Sequence, residues 1–273
     1  MEMPVRSISQ CLLDSEPAFL RVLSRHHRVV NLEDERGRLW AVVHPQIGNG
    51  PFHIVLAEQA EFAALERGAA ARWDGRTLTA GTWRMHADAA KIWDPFLARA
   101  PRPIPAASWK AARRCAQTIM AASPLQKDMD AHTWTRLRQG VALLNEARQA
   151  EDAAGLREAA ARLTGLGPGL TPAGDDVLLG FMARGWIQHS AICNPYSVIR
   201  ELEPAWAEKG KTSRISRAWL EHAAAGRFAE PWHDLRAAMS AADVEAVCRA
   251  MARIAGIGAT SGRLALLGAF SMP

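Results

Sequence analysis

Three prolines at alternate positions, Pro101, Pro103 and Pro105 in "ARAPRPIPAAS", divide this chain into two parts that must fold by different rules. Each lacks an amide hydrogen, fixes its own φ and pushes its predecessor toward extended geometry. No central strand or helix interior accommodates that spacing, so residues 96–108 are expected to form a stiff linker. Before it, short β-branched and aromatic runs are punctuated by turn residues. After it, apolar residues recur at i, i+3 and i+4. The expectation is an α+β protein: a β-rich N-terminal domain at residues 1–95, barrel- or sandwich-like, then a mostly α-helical domain at residues 109–273.

In the first part, "HHRVVNLED" and "RGRLWAVVHP" flank the turn-prone "EDERG" and predict a hairpin. "FHIVLA" reads as another strand, and Asp74-Gly75 between two short runs predicts a second hairpin. In the second part, "WKAARRCAQTIMAA", "WTRLRQGVALLNEARQA" and "LREAAARL" read as amphipathic helices. Ser240, with Asp243 three residues later, resembles a capping-box start for the helix in "SAADVEAVCRAMARIA".

With 49% hydrophobic and 22% charged residues, the chain reads as soluble and globular. No apolar run approaches the roughly 20 residues that span a membrane. Acids interrupt the N-terminal stretch where a signal peptide needs an apolar core, so the expected location is the cytoplasm. Cys11, Cys115, Cys193 and Cys248 have neither metal-ligand nor CxxC spacing, so reduced thiols are expected. The net charge of +5 comes from scattered arginines rather than one basic element, which argues against nucleic acid as a partner.

The most informative stretch is "GLGPGLTPAGDD", residues 165–176. A dinucleotide fingerprint would need glycine where Leu170 stands. A P-loop would need lysine and a hydroxyl where Asp175 and Asp176 stand. What remains is a helix entrance, with Thr171 as N-cap, Pro172 at the first helical position and both acids in the first turn. The apolar "VLLGFMARGWI" that follows predicts a buried helix. A capped helix alone would explain part of this. Four glycines within ten residues are more than a cap requires, and they bare amide groups that suit a small anion. Gly165, Gly167, Gly169, Thr171 and Gly174 are the candidate binding residues. Adjacent helical residues diverge by about 100°, so one of Asp175 and Asp176 is expected to face the ligand, holding an amide –NH₂ or a divalent cation such as Mg²⁺.

Residues 256–270, "GIGATSGRLALLGAF", echo this motif, with Arg263 and Leu264 in place of the two acids. The echo predicts two glycine loops, each feeding a buried helix, facing one another. A third helix start, "GKTSRISRAWLEHA", has Thr212 or Ser213 as N-cap. Ser213, Ser261 and Gly262 join Thr212 as candidates for the same pocket. His44 and His53 flank the turn signal Asn49-Gly50-Pro51, and each is expected to be a packed or surface residue.

These stretches, in this order, carry a resemblance. "HHRVVNLEDERGRLWAVV", "IGNGPFHIVL", "GLGPGLTPAGDDVLLG", "KTSRISRAWLEHAAAGRFAEP" and "IGATSGRLALLG" look like the bacterial family that includes the AllH-type subunit of oxamate carbamoyltransferase. The chain departs from that pattern at Arg263-Leu264, where family members carry an aromatic–acid pair. The resemblance implies a subunit acting in allantoin and purine-nitrogen catabolism, where oxalurate and phosphate give oxamate and carbamoyl phosphate with other subunits participating. In that reading the glycine loop binds the anion, and Asp175 or Asp176 orients the carbamoyl nitrogen or a metal. The alternative is a non-catalytic subunit that binds a small carboxylate or phosphate, or serves as a scaffold.

Overall fold

The computed structural model describes residues 1–62, 65–98, 102–189, 195–208 and 210–271. Pro101 of the linker and Cys193 lie outside them. The chain divides into two compact units, Met1–Phe96 and Leu97–Pro273.

The first unit is built from β1 (Val5–Ser9), a short helix α1 (Gln10–Leu13), then β2 (Ala18–His26), β3 (Val29–Asp34), β4 (Leu39–Val43), β5 (His53–Leu56), β6 (Ala70–Trp73), β7 (Thr77–Ala80), β8 (Trp83–His86) and β9 (Lys91–Trp93). Among the described residues these strands form one sheet in the order β8-β7-β6-β2-β3-β4-β5-β1-β9. Both expected hairpins are present. β3 pairs antiparallel with β4, and the Asp34 carboxylate accepts the Arg36 and Arg38 amides at 2.9 Å to close the turn. β6 pairs with β7 across Gly75, whose φ is +101°, while Asp74 accepts the Arg76 and Thr77 amides. β5 joins parallel to β4 and antiparallel to β1.

The sheet curls. The Met3 amide bonds to Arg84 O of β8, and the Arg84 amide to Met1 O, yet the same chain continues into β1 beside β9 at the other edge. One strand and its approach therefore touch both ends of the sheet, which is the barrel-like form expected. Burial alternates along β6 and β8 with the strand period of two. Trp40, Trp73 and Trp83 fill the interior, with the Trp40 and Trp73 rings 5.5 Å apart.

The second unit is helical: α2 (Ala106–Ala122), α3 (Ala131–Gln149), α4 (Ala153–Leu163), α5 (Ala173–Ile187), α6 (Tyr196–Leu202), α7 (Pro204–Ala207), α8 (Arg214–Ala224), α9 (Glu230–Ala241), α10 (Val244–Ala255) and α11 (Ser261–Phe270). Asp130, Asp152 and Asp243 cap α3, α4 and α10 by accepting first-turn amides. The helix start expected at Ser240 is thus corrected. Ser240 lies in the last turn of α9, Ala242 turns the chain in the left-handed region, and Asp243 is the N-cap.

Helices α5 and α11 form the centre of this unit, and both are buried nearly all round. Their backbones touch. A Cβ on Gly180 would lie 1.8 Å from Ala265 O, and one on Gly268 would lie 2.0 Å from Val177 O. Gly268 and Ala265 are the echoes of Gly180 and Val177, so the contact is reciprocal. Gly174 and Gly262 repeat the device against the preceding helices, at 1.9 Å from Leu163 O and 1.7 Å from Ile254 O. The sequence echo is a repeated helix–loop–helix, α4–α5 and α10–α11.

The cysteines need a second correction. Cys115 on α2 and Cys248 on α10 are joined in a disulfide, with Cα atoms 5.7 Å apart. The partners are 133 residues apart, and only the packing of α2 on α10 unites them.

Candidate functional site

The loop of residues 164–172 joins α4 to α5. Its alternating glycines, Gly165, Gly167 and Gly169, have φ of +71°, +104° and +103°, in the region that other residues seldom adopt. A Cβ on Gly165 would also fall 2.1 Å from Lys211 O, so the loop lies directly against the chain entering α8. The Gly174 amide bonds back to Leu166 O at 2.9 Å, which closes the loop onto the first turn of α5.

The N-cap of α5 is Pro172, one residue later than expected, and it makes no side-chain cap bond. Thr171 is therefore free for another task. Its hydroxyl shares a 2.8 Å hydrogen bond with Ser261, the first residue of α11. At the other end of the pair, Arg184 Nη1 of α5 donates to Ala269 O of α11. The two helices run side by side in the same direction, and their starts meet as the echo predicts.

Pro168 and Pro172 have no amide hydrogen. Among the described residues, no acceptor meets the amides of Gly167, Gly169, Leu170, Thr171 or Ala173. Pro168, Gly169 and Leu170 are exposed, so this row of donors begins at the surface and runs to the buried start of α5.

The two acids beneath it differ sharply. Asp175 Oδ1 accepts the Gly165 amide at 2.8 Å, and its Oδ2 accepts the Thr212 hydroxyl. Burial raises its pKa, opposed by hydrogen bonds from Thr212, Gly165 and Ser216. Beside it, Ser213 caps α8 by accepting the Ser216 amide, and its hydroxyl donates to Leu170 O. Asp175, Thr212, Ser213 and Ser216 thus fasten the glycine loop to α8. Asp176 is 7% exposed, and its Oδ2 has no partner among the described residues. Burial pushes its carboxyl well above the usual range; a hydrogen bond with Ser261 opposes this, and the neighbouring Asp175 charge adds to it. Burial thus favours the neutral over the charged form of Asp176.

The candidate residues accordingly separate. Gly165, Gly174 and Gly262 use their amides within the chain, the last bonding to Ile257 O at 2.9 Å. Thr212 and Ser213 are committed to structural bonds. Gly167, Gly169, Thr171, Asp176 and Ser261 remain together at the loop. Arg263 of the echo donates to Ser123, Asp128 and Ala259 O, so its charge is neutralised locally. Ser216 was not foreseen, although a second serine three residues after an N-cap is a readable clue. Among the described residues no group of three His, Cys, Asp or Glu could hold a metal. With both Asp175 oxygens engaged, the donor set does not fit the divalent cation considered from sequence.

His44 and His53 of the first unit are packed residues. His53 lies under Gly50, where a Cβ would stand 2.6 Å from the imidazole. Its Nδ1 is 3.0 Å from Gly48 O, and burial lowers its pKa to about 4. His44 Nε2 contacts the Ala60 backbone.

A curled β unit followed by a helical unit, in which twin helix–glycine-loop–helix hairpins pack backbone to backbone, defines the class of this protein. Residues 6–92 match the family model described as the AllH family N-terminal domain, and residues 163–272 match that of oxamate carbamoyltransferase subunit AllH. The chain belongs to the AllH family. No curated protein and no solved structure matches it. Among the described residues, no helix is long and apolar enough to cross a membrane.

Proposed function

We propose that this chain is the AllH-type subunit of an oxamate carbamoyltransferase-like enzyme, working with other subunits, and that its glycine loop binds the reacting anion above Asp176. The observation that carries this reading is a buried carboxyl with a partnerless oxygen, in the first turn of the helix that follows a row of unpaired amides; burial favours its neutral form. A carboxylate there would repel oxalurate and phosphate; a neutral acid donates a hydrogen bond instead.

In the phosphorolysis of oxalurate, a phosphate oxygen bonds to the ureido carbonyl carbon. The bond from that carbon to the oxamate nitrogen breaks, and the nitrogen takes up a proton while phosphate gives one up. Negative charge grows on the carbonyl oxygen during attack. Amides of Gly167, Gly169 and Thr171 supply preorganised donors for it. Asp176 delivers the proton to the leaving nitrogen and regains the one phosphate releases. Thr171 and Ser261 hold the two helix starts around the site.

The test is Asp176→Asn in a complex reconstituted with the partner subunits. Oxalurate phosphorolysis should fall by about 100-fold or more with no loss of thermal stability. Unchanged turnover removes the acid from the mechanism. Saturable oxamate binding by the wild type, with no turnover in the complete complex, would instead favour the non-catalytic binding subunit.

A further inference from the structure

The two helix–loop–helix repeats differ where their starts meet. Gly174 of the first corresponds to Gly262 of the second, so Ala173 corresponds to Ser261, and Asp175-Asp176 to Arg263-Leu264. One repeat brings a buried acid to the junction, and the other brings a hydroxyl. Ser261 opens α11 but does not cap it. The N-cap is Thr260, which makes no side-chain cap bond. The Ser261 hydroxyl instead links two groups of the first repeat. It shares the 2.8 Å bond with Thr171 Oγ1 and a hydrogen bond with the Asp176 carboxyl. Asp176 Oδ2 has no partner among the described residues, so the bond with Ser261 falls on Oδ1. Thr171 and Ser261 are half-buried, whereas Asp176 is buried, so the three form a line running inward. The backbone contacts of Gly180 with Ala265 and of Gly268 with Val177 fix the register of α5 on α11, which keeps Ser261 level with the first turn of α5.

Counting hydrogens decides how this line is directed. A serine hydroxyl has one hydrogen to give and lone pairs to accept with. With the carboxyl proton on Oδ1, Asp176 would donate to Ser261, Ser261 to Thr171, and Oδ2 would turn a bare lone pair toward an anion. With the proton on Oδ2, Thr171 donates to Ser261, Ser261 donates to Oδ1, and Oδ2 presents a donor. Only the second order suits an anionic ligand. It also suits acid catalysis. As Oδ2 gives up its proton, negative charge appears on the carboxyl group and the bond from Ser261 becomes charge-assisted and stronger. An interaction that strengthens only as the reaction proceeds raises kcat and leaves substrate binding nearly unchanged.

Resting on the reading in which Asp176 is the acid of carbamoyl transfer, we infer that Ser261 is a positioning residue: its hydroxyl, oriented by Thr171, holds Asp176 Oδ1 and leaves Oδ2 to carry the proton to the leaving nitrogen. The α10–α11 repeat thereby serves the site that α4–α5 builds. The experiment is steady-state oxalurate phosphorolysis by the complex reconstituted with its partner subunits. Ser261→Ala should lower kcat about tenfold or more, with KM changed by less than about twofold. Ser261→Thr keeps the hydroxyl and should retain most of kcat. Thr171→Val keeps the shape and the backbone amide but loses the orienting hydroxyl, and should lower kcat about threefold. In the Asp176→Asn background, adding Ser261→Ala should cost nothing further, because groups that act as one unit do not add. Wild-type kcat in Ser261→Ala, a loss carried by KM, or losses that multiply in the double variant each overturn the inference. Should Ser261→Ala not fold, Thr171→Val carries the test, and an unchanged kcat there is the overturning result. Wild-type turnover in Asp176→Asn defeats the reading itself, whereas a loss there beside an unaffected Ser261→Ala defeats this inference alone.

Discussion

Two adjacent aspartates, alike in sequence, have opposite roles, and each role has a consequence in solution. Asp176 has a folded-state pKa raised from 3.8 by burial. Its contribution to stability is full below the unfolded pKa and is lost as pH rises through the folded value, because the fold resists its ionisation. Asp176→Asn cannot ionise. Melting curves across pH should therefore show the variant gaining on the wild type as pH rises through that window, and a gap that stays flat contradicts the burial described. Asp175 acts as a fastener. Asp175→Ala should cost about 2 kcal/mol, since it strands the Gly165 amide and the Thr212 hydroxyl, and denaturant unfolding measures this directly. Sequence alone could not separate the two acids. Both satisfy the first-turn preference for negative charge, and only the neighbours that α8 and α11 bring in distinguish them.

At the scale of elements, the glycines fall into two kinds that look identical in the sequence. Gly167 and Gly169 are required by positive φ, Gly174, Gly180, Gly262 and Gly268 by backbone contact, and Gly165 by both. Alanine at Gly180 or Gly268 would place a methyl carbon inside a carbonyl of the partner helix. Each should lose about 3 kcal/mol or more, above the usual range for overpacking because backbone cannot yield as a side chain does. Gly169→Ala meets open space, so it should cost only about 1 kcal/mol through its strained φ. Chemical denaturation of the three variants orders them, and equal losses would contradict the packing of α5 on α11. The hairpins were legible because Asp and Gly mark their turns. The capping of α10 by Asp243 rather than Ser240 was not, since both residues suit an N-cap and the tertiary packing of α9 chooses between them.

For the molecule as a whole, the change of periodicity across the prolines made the α+β organisation readable, and the specific motif at residues 165–176 made the family readable. Long-range pairings were not. The parallel β4–β5 contact, the curl that carries residues 1–3 to β8 and the bond between Cys115 and Cys248 all join segments that share no local pattern. The disulfide closes a long loop in the unfolded chain and should stabilise the helical unit by about 2–4 kcal/mol. Non-reducing peptide mapping should recover the linked pair, and Cys115→Ser should melt earlier than wild type under oxidising conditions and alike under reduction. The central claim is that unpaired amides at the mouth of α5 hold a small anion over a neutral Asp176. Backbone amide NMR during titration with oxamate and with phosphate tests it most directly. Gly167, Gly169, Leu170, Thr171 and Ala173 should shift together and saturate with one affinity. Saturable binding that leaves these five resonances unmoved would contradict it.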